Sequence, residues 1–348
     1  MGQKSSFDFQ TETLPGNCHW RMAGVYRRFM AIFSSRDSDL SVRHLRGIDD
    51  LSDHDIERIL TRSLDYARML KARERIAPIL VGRTQINLFF EDSTRTNMSF
   101  ELAGKKLGVD MINLPVAASS VNKNEELIDT VQTLAAMGAD VMIVRAREPG
   151  IHQLLSEQVA CSIINAGDGT HEHPTQGLLD AATIKSTGAA FKDVRIAICG
   201  DIRHSRVAGS GAKLLQRLGA DVRFVAPDIF QPDSDFLPQI ARYSSLQEGL
   251  EGCNFVMALR VQFERLGADT KAGEASGLDA KAFHRDFGLT HKSMEYAAPN
   301  AFIMHPGPMN RGIEIDGALA DDRERSLVLS QVFHGVPTRM AILEHLLA

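Results

Sequence analysis

From Leu51 onward the apolar residues fall into two alternating patterns. Ser52 stands before a run, 53–73, whose Ile56, Ile59, Leu60, Leu64, Ala67 and Leu70 recur at helical spacing, which predicts a capped amphipathic helix. A short apolar run over 86–90 predicts a strand, 97–107 a helix, and 111–114 a second strand after the turn Gly108-Val109-Asp110. The alternation continues with a helix over 125–137, a strand over 140–144, a helix over 151–159, a strand over 162–165 and a helix over 175–187. After Thr187-Gly188 the series restarts: a strand over 195–199, a helix over 207–218, and strands over 222–226, 254–259 and 301–304. A C-terminal helix over about 326–347 closes the chain, while 228–245 and 262–290 lack a clear period and are predicted to hold long loops.

Strands alternating with helices through short connections predict an α/β protein of two domains, each a mostly parallel sheet flanked by helices. We expect a first domain over 41–180, a second over 181–325, and a C-terminal helix, 326–348, that returns to the first domain. The chain of 348 residues is long enough for two well-buried cores.

Composition changes this picture little. Hydrophobic content of 44% and charged content of 24% are those of a soluble globular protein, and the net charge of −5 gives no support for nucleic-acid binding. No apolar run reaches the length of a membrane span. Cys18, Cys161, Cys199 and Cys253 form no C-x-x-C pair, which suits reduced residues in a cytoplasmic protein. Residues 1–40 stand apart: Thr13 to Ser35 holds no acidic residue but has Arg21, Arg27 and Arg28. That resembles a presequence, but Arg27-Arg28 interrupts the apolar stretch, so we expect a disordered extension or a start placed upstream of Met22 or Met30.

The candidate chemistry gathers where strands end. Ser93-Thr94-Arg95-Thr96 lies between a predicted strand and a predicted helix, where backbone N–H groups and the positive end of a helix dipole converge. Three hydroxyls and a guanidinium fork there make a phosphate cradle; the competing reading is an ordinary Ser cap beside a surface arginine. Arg145, the run from Asn165 to Gln176, Gly200-Asp201 with Arg206, Arg260 with Gln262, and His305-Pro306-Gly307-Pro308 follow other predicted strands. If the strands are parallel, these loops share one edge and converge. Arg95, Arg145, Arg206 and Arg260 exceed what one phosphate needs, which implies a second anionic group such as carboxylates. His171-x-His173 could begin a metal site but lacks an evident third ligand. Gly209-x-Gly211 is a weak dinucleotide signal, because Leu214 stands at the third glycine position.

Six stretches in order, FFEDSTRTNMSFE, SSVNKNEELIDT, NAGDGTHEHPTQ, GDIRHSR, LRVQFERL and MHPGPMNRG, resemble the aspartate/ornithine carbamoyltransferase family, and within it the aspartate carbamoyltransferase catalytic chain. The resemblance runs from about Leu45 to the C-terminus; His305 is followed by Pro306 rather than the cysteine of the ornithine enzymes. It implies transfer of a carbamoyl group from carbamoyl phosphate to L-aspartate, early in pyrimidine synthesis, with no cofactor and no metal. It implies that carbamoyl phosphate is held by Ser93, Thr94, Arg95, Thr96, Arg145, His173 and Gln176, of which Arg95, Thr96, Arg145 and His173 act on the reacting group. Ser119 and Lys123 match residues supplied by a neighbouring subunit, Lys123 also near aspartate, so a homotrimer is implied, with regulatory chains or a dihydroorotase as open further partners. Arg206, Arg260, Gln262, Gly307 and Pro308 match the aspartate site, and Glu91, Arg206 and Arg265 match residues that bridge the domains on closure. Asp92, Asn124 and Ala146 depart from the family pattern without removing a named ligand.

Overall fold

A computed structural model describes residues 40–114, 126–263 and 279–348. In chain order, the first lobe contains α1 (Asp53–Lys71), β1 (Thr84–Phe89), α2 (Thr94–Leu107), β2 (Asp110–Leu114), α3 (Leu127–Ala136), β3 (Val141–Ala146), α4 (Ile151–Gln158), β4 (Ser162–Asp168) and α5 (Pro174–Ser186). The second contains β5 (Arg195–Gly200), α6 (Arg206–Arg217), β6 (Asp221–Val225), β7 (Ala241–Tyr243), α7 (Leu246–Leu250), β8 (Phe255–Leu259), α8 (Ala280–Phe287), β9 (Phe302–Met304) and α9 (Gly317–Ala320). The closing helix, α10, spans Val328–Leu347.

Each lobe has its own parallel sheet. The first runs in the order β2-β1-β3-β4 and the second β7-β6-β5-β8-β9, and every named pairing is parallel. Both orders reverse direction once, between β1 and β3 in the first sheet and between β5 and β8 in the second. At such a reversal the following helices leave on opposite faces, and a crevice opens beyond the carboxyl ends of the two strands. Both lobes therefore carry a crevice for reasons of topology alone.

α10 lies on the first lobe, packed against α1, α2 and α5. Met340, Ala341, Ile342, Leu343 and Leu347 are buried in the core along it, and polar ties fix its register. Arg62 Nε donates to Glu344 Oε2 at 2.6 Å, the Tyr66 hydroxyl donates to the same oxygen at 2.8 Å, and the Ser63 and Thr338 hydroxyls lie 2.8 Å apart. The helix capped by Ser52 forms as its spacing predicts, with Ser52 Oγ accepting from the Asp55 N–H and Asp55 accepting from the Ser52 N–H.

Several boundaries differ from the sequence reading. α2 begins at Thr94, so Thr94-Arg95-Thr96 is its first turn rather than a loop before it. β3 runs through Arg145 to Ala146, placing Arg145 inside the strand. A charged residue ends an apolar run on paper, yet this one pairs in register with Phe89, and its guanidinium reaches Glu91. β4 extends to Asp168 although its last residues are small or polar; Asn165 Nδ2 donates to Asp168 Oδ1 at 3.1 Å and to the Arg46 carbonyl at 2.7 Å, which satisfies a buried polar strand end. Within 228–245 the structure adds β7, a three-residue edge strand too short to show alternation. Within 279–290 it adds α8, capped by Asp279 and buried on its own face only through Phe283.

Candidate functional site

A cleft of about 640 Å³ lies between the carboxyl edges of the two sheets. From the first lobe it is lined by Ser93, Thr94, Arg95, Thr96, Arg145, His173 and Gln176; from the second by Arg206, Arg260, Gln262, Gly307 and Pro308. These are the candidates named from the sequence, brought together from segments more than 200 residues apart. Glu91 stands beside the cleft. Ser119, Lys123 and Arg265 lie outside the described residues, as do Asn124 and Cys18.

The cradle is built by the start of α2. Ser93 occupies the cap position, but its side chain makes no capping hydrogen bond, unlike Ser52 on α1. Its hydroxyl is not spent on the helix, which favours the cradle over the ordinary cap. The first-turn N–H groups of any helix lack intrahelical acceptors, and the dipole puts positive potential on them. Arg95 adds a full positive charge where the dipole already disfavours one. It makes no hydrogen bond or ion pair with any described residue, and burial lowers its pKa. A guanidinium kept without a carboxylate at the wrong end of a dipole is poised for an anion from outside. Asp92 also lines the cleft, at an exposed position.

Glu91 joins the two lobes' arginines. Arg206 Nη2 donates to Glu91 Oε2 at 2.9 Å, and Arg145 Nε lies 3.4 Å from the same oxygen. Arg206 Nη1 donates to the Gly169 carbonyl at 3.1 Å, and Arg145 Nη1 to the Ala166 carbonyl at 3.3 Å. Burial, then the nearby Arg206, pushes Arg145 down to about 10 against the pull of Glu91, so it remains cationic at neutral pH. Gly167 lets both guanidiniums approach: a Cβ there would stand 2.9 Å from Arg206 Nε and 3.4 Å from Arg145 Nη1, at a backbone φ of +115°.

The second lobe contributes a set of held side chains. Gln262 Nε2 donates to the His204 carbonyl at 3.0 Å, its backbone N–H donates to buried Asp201 at 3.2 Å, and His204 Nδ1 lies 2.8 Å from the other Asp201 oxygen. Arg260 Nη2 approaches Gln262 Oε1 at 3.5 Å. Gly307 comes against Arg95 across the cleft, where a Cβ would stand 3.0 Å from Arg95 Cζ, at a φ of +70°. His305 sets that glycine: its Nδ1 accepts from the Gly307 N–H at 2.8 Å, so the proton belongs on Nε2, which lies 3.1 Å from Glu314 Oε1.

His171 and His173 take opposite roles. His171 lies 3.1 Å from Asp168 Oδ2, and that hydrogen bond raises its pKa. His173 is buried at the start of α5 with Nδ1 unpartnered, and burial, reinforced by Arg145, Arg339 and Arg206, holds its pKa well below the usual value. Charge on His171 is thus favoured and charge on His173 opposed. At pH 6, below the ordinary histidine value, imidazole nitrogen NMR is expected to show His171 protonated and His173 neutral. A protonated His173 at that pH would refute the arrangement. No group of three or more His, Cys, Asp or Glu suited to a metal ion occurs among the described residues. Gly209 and Gly211 lie inside α6, and a Cβ on Gly177 of α5 would stand 3.1 Å from the Ser210 carbonyl. The small residues at 209–211 serve helix packing rather than a dinucleotide loop.

Other lining residues escaped the sequence reading. Arg339 is a buried arginine on α10, with Nη2 donating to Thr175 Oγ1 at 3.2 Å and its guanidinium 4.9 Å from the Phe100 ring centroid. Gln331 of α10 and Ser205 before α6 also face the cleft. The available signal was a charge at Arg339 within an apolar helical stretch, which is costly unless it has a role.

Two parallel α/β lobes whose switch points face one cleft, lined with arginines and hydroxyls from both sides, define a two-lobed protein built to hold two anionic groups together. Residues 43–186 match the family model described as aspartate/ornithine carbamoyltransferase, carbamoyl-P binding domain, and residues 192–346 match the Asp/Orn binding domain of the same family. The chain belongs to the aspartate/ornithine carbamoyltransferase family. It is 49% identical to the aspartate carbamoyltransferase catalytic subunit of Parvibaculum lavamentivorans over 304 residues, covering 87% of this chain and 91% of that one. It is 44% identical to the catalytic subunit of the same name from Pelagibacter ubique, covering 90% and 99%. Among solved structures it is similar to aspartate transcarbamoylase from Trypanosoma cruzi in complex with carbamoyl phosphate and aspartate, at 32% identity and a TM-score of 0.80, covering 89% of this chain and 98% of that one.

Proposed function

We propose that this chain is an aspartate carbamoyltransferase, which transfers the carbamoyl group of carbamoyl phosphate to the amine of L-aspartate. The observation that carries this reading is the facing of an uncommitted Arg95 and its hydroxyl cradle by Arg206, Arg260 and Gln262 across one cleft. Ser93, Thr94, Arg95 and Thr96, with Arg145, His173 and Gln176, bind carbamoyl phosphate; Arg206, Arg260, Gln262, Gly307 and Pro308 bind aspartate.

In the reaction the aspartate nitrogen attacks the carbamoyl carbon, a C–N bond forms, and the bond from that carbon to the phosphate oxygen breaks. Negative charge develops on the carbonyl oxygen and then on the departing phosphate. Donors from Thr96, Arg145 and His173 stabilise the first charge, and the cradle stabilises the second. A neutral His173 is a donor without adding a further cation beside the arginines. The leaving phosphate takes the amine proton, so the step balances without a protein base. The main contribution of the protein is to hold two anions in attack geometry against their mutual repulsion.

The product, N-carbamoyl-L-aspartate, places the enzyme early in pyrimidine synthesis. The reading extends to a cytoplasmic homotrimer in which Ser119 and Lys123 reach the neighbouring site and Arg265 joins Glu91 and Arg206 in closure. Regulatory chains or a dihydroorotase are the candidates for a larger assembly. The decisive assay offers the purified chain carbamoyl phosphate with aspartate or with ornithine. Turnover of aspartate alone is expected; turnover of ornithine and none of aspartate would overturn the assignment.

A further inference from the structure

Below the floor of the cleft lies Asp180, a buried acid that the reaction as described does not use, and a polar chain runs through it between the two halves of the cleft. Gln176, on α5, lines the carbamoyl-phosphate half, and its Nε2 donates to Asp180 Oδ1 at 2.9 Å, one turn further along the same helix. Gln331, on α10, donates from Nε2 to the same oxygen at 2.8 Å. Gln331 Oε1 in turn accepts from the backbone N–H of His305 at 2.7 Å. His305 opens the loop that carries Gly307 and Pro308, and its ring accepts from the Gly307 N–H at 2.8 Å. The connected path therefore runs from the cleft through Gln176, Asp180, Gln331 and His305 to Gly307, crossing from the first lobe to the second.

Each amide orientation follows from its partners. An N–H donor from His305 requires the oxygen of Gln331 to face it, which leaves the Gln331 NH₂ for Asp180. The NH₂ of Gln176 has two hydrogens; Asp180 takes one, and the other stays available to the cleft. Asp180 is the only acceptor shared by the two glutamines among the hydrogen bonds of the described residues. Its Oδ2 is buried without a hydrogen-bond partner. Burial pushes its carboxyl up to about 7 despite the two amide donors and the nearby Arg339, so an uncharged side chain is well accommodated there. A buried acid with one unsatisfied oxygen is costly to keep for packing alone, since an apolar residue would avoid that cost.

We propose that Asp180 is a positioning residue that couples occupancy of the carbamoyl-phosphate half of the cleft to the setting of the Gly307–Pro308 loop on the aspartate half. The inference rests on the assignment of the two half-sites made above. A ligand that engages Gln176 reorients its amide, Asp180 answers as the shared acceptor, and Gln331 passes the change to the His305 backbone. Coupling of this kind is a free energy between sites and is reciprocal, so it is measurable from either ligand.

The test titrates succinate, a dicarboxylate without the reacting amine, by calorimetry into the full chain with and without saturating carbamoyl phosphate. In the wild type, carbamoyl phosphate is expected to tighten succinate by about tenfold or more. Asp180→Leu, which removes the shared acceptor, is expected to cut that factor by about fivefold while carbamoyl phosphate alone still binds. Asp180→Asn retains an acceptor oxygen and is expected to keep the factor within about twofold of the wild type, a rescue that loss of packing would not give. Gln331→Leu cuts the same path at its next member and is expected to match Asp180→Leu; it serves in its place should the leucine at 180 prevent folding. Retention of the full factor in Asp180→Leu or Gln331→Leu would overturn the proposal. A wild-type chain that turns over aspartate yet shows no such factor overturns the coupling alone. A wild-type chain inactive on aspartate overturns the reaction, and the coupling with it.

Discussion

Arg95→Ala is expected to lower kcat/KM for carbamoyl transfer by about three orders of magnitude, with little change in stability. Removing a single preorganised donor to a developing anion typically costs a factor of about 10² to 10³. Arg95 supplies a full charge and a fork, and it forms no ion pair or hydrogen bond within the described residues. Its deletion therefore leaves no partner stranded. The substitution also removes a cation from the positive end of the α2 dipole, an unfavourable pairing in the free protein. The thermal midpoint should stay within about 2 °C of wild type, because surface changes that break no interaction usually cost under about 0.5 kcal/mol. Steady-state kinetics and a thermal melt on the same preparation check both halves. Activity within tenfold of wild type would remove Arg95 from the site, and a collapse in stability would mean its role is structural. Lysine at this position should restore only part of the rate, since a point charge cannot make the paired contacts of a guanidinium.

Arg206→Ala is expected to act on the other substrate. Its guanidinium is held in two directions, by Glu91 at 2.9 Å and by the Gly169 carbonyl at 3.1 Å, with further donors left toward the cleft. Those contacts fix the fork where carboxylates would meet it and at the same time link the lobes. Loss of a charge-assisted pair of this sort costs on the order of 2–5 kcal/mol in binding. The KM for aspartate should therefore rise by about two orders of magnitude or more, while carbamoyl phosphate affinity shifts only a few-fold, because its cradle belongs to the other lobe. Glu91→Gln is the discriminating companion. It leaves the fork but removes the charge shared by Arg145 and Arg206, so the two cations face each other without a carboxylate between them. We expect a fall in kcat larger than its rise in KM, which separates bridging of the lobes from direct contact with aspartate. Equal loss of both substrates in Arg206→Ala would contradict the division of the cleft.

How these residues come to face one another was partly legible in the sequence. Alternation of apolar runs identified both sheets, and parallel strands place their carboxyl ends along one edge, so Ser93, Arg145, His173, Arg206, Arg260 and Gly307 could be expected to converge. The surplus of arginines implied a second anion before any geometry was known. What the alternation could not give was the extent of strands whose ends carry polar residues. β3 continues through Arg145 because Glu91 receives its charge, and β4 continues to Asp168 because Asn165 and the Arg46 carbonyl complete its hydrogen bonds. β7 and α8 were missed because elements that short show too few turns of their period.

The stretch Ser93-Thr94-Arg95-Thr96 shows the division of labour. Residue types and local order were sufficient for a phosphate cradle, since a strand followed by a helix brings N–H groups and dipole together wherever it occurs. Local order could not say whether Ser93 caps its helix or leaves its hydroxyl unspent, because that depends on the backbone angles imposed by packing of α2 under α10. Nor could it reveal that Arg339 and Gln331 line the cleft, or that Asp180 lies buried beneath it, on helices with no local motif. Their roles arise from contacts between segments about 150 residues apart, such as Gln331 with Asp180. Secondary structure and the chemical character of the strand-end loops are short-range properties, governed by periodicity and dipoles, and the sequence by itself determined them. Which side chains share a partner, and which are left for a ligand, is settled by long-range packing, and only the tertiary structure decided it.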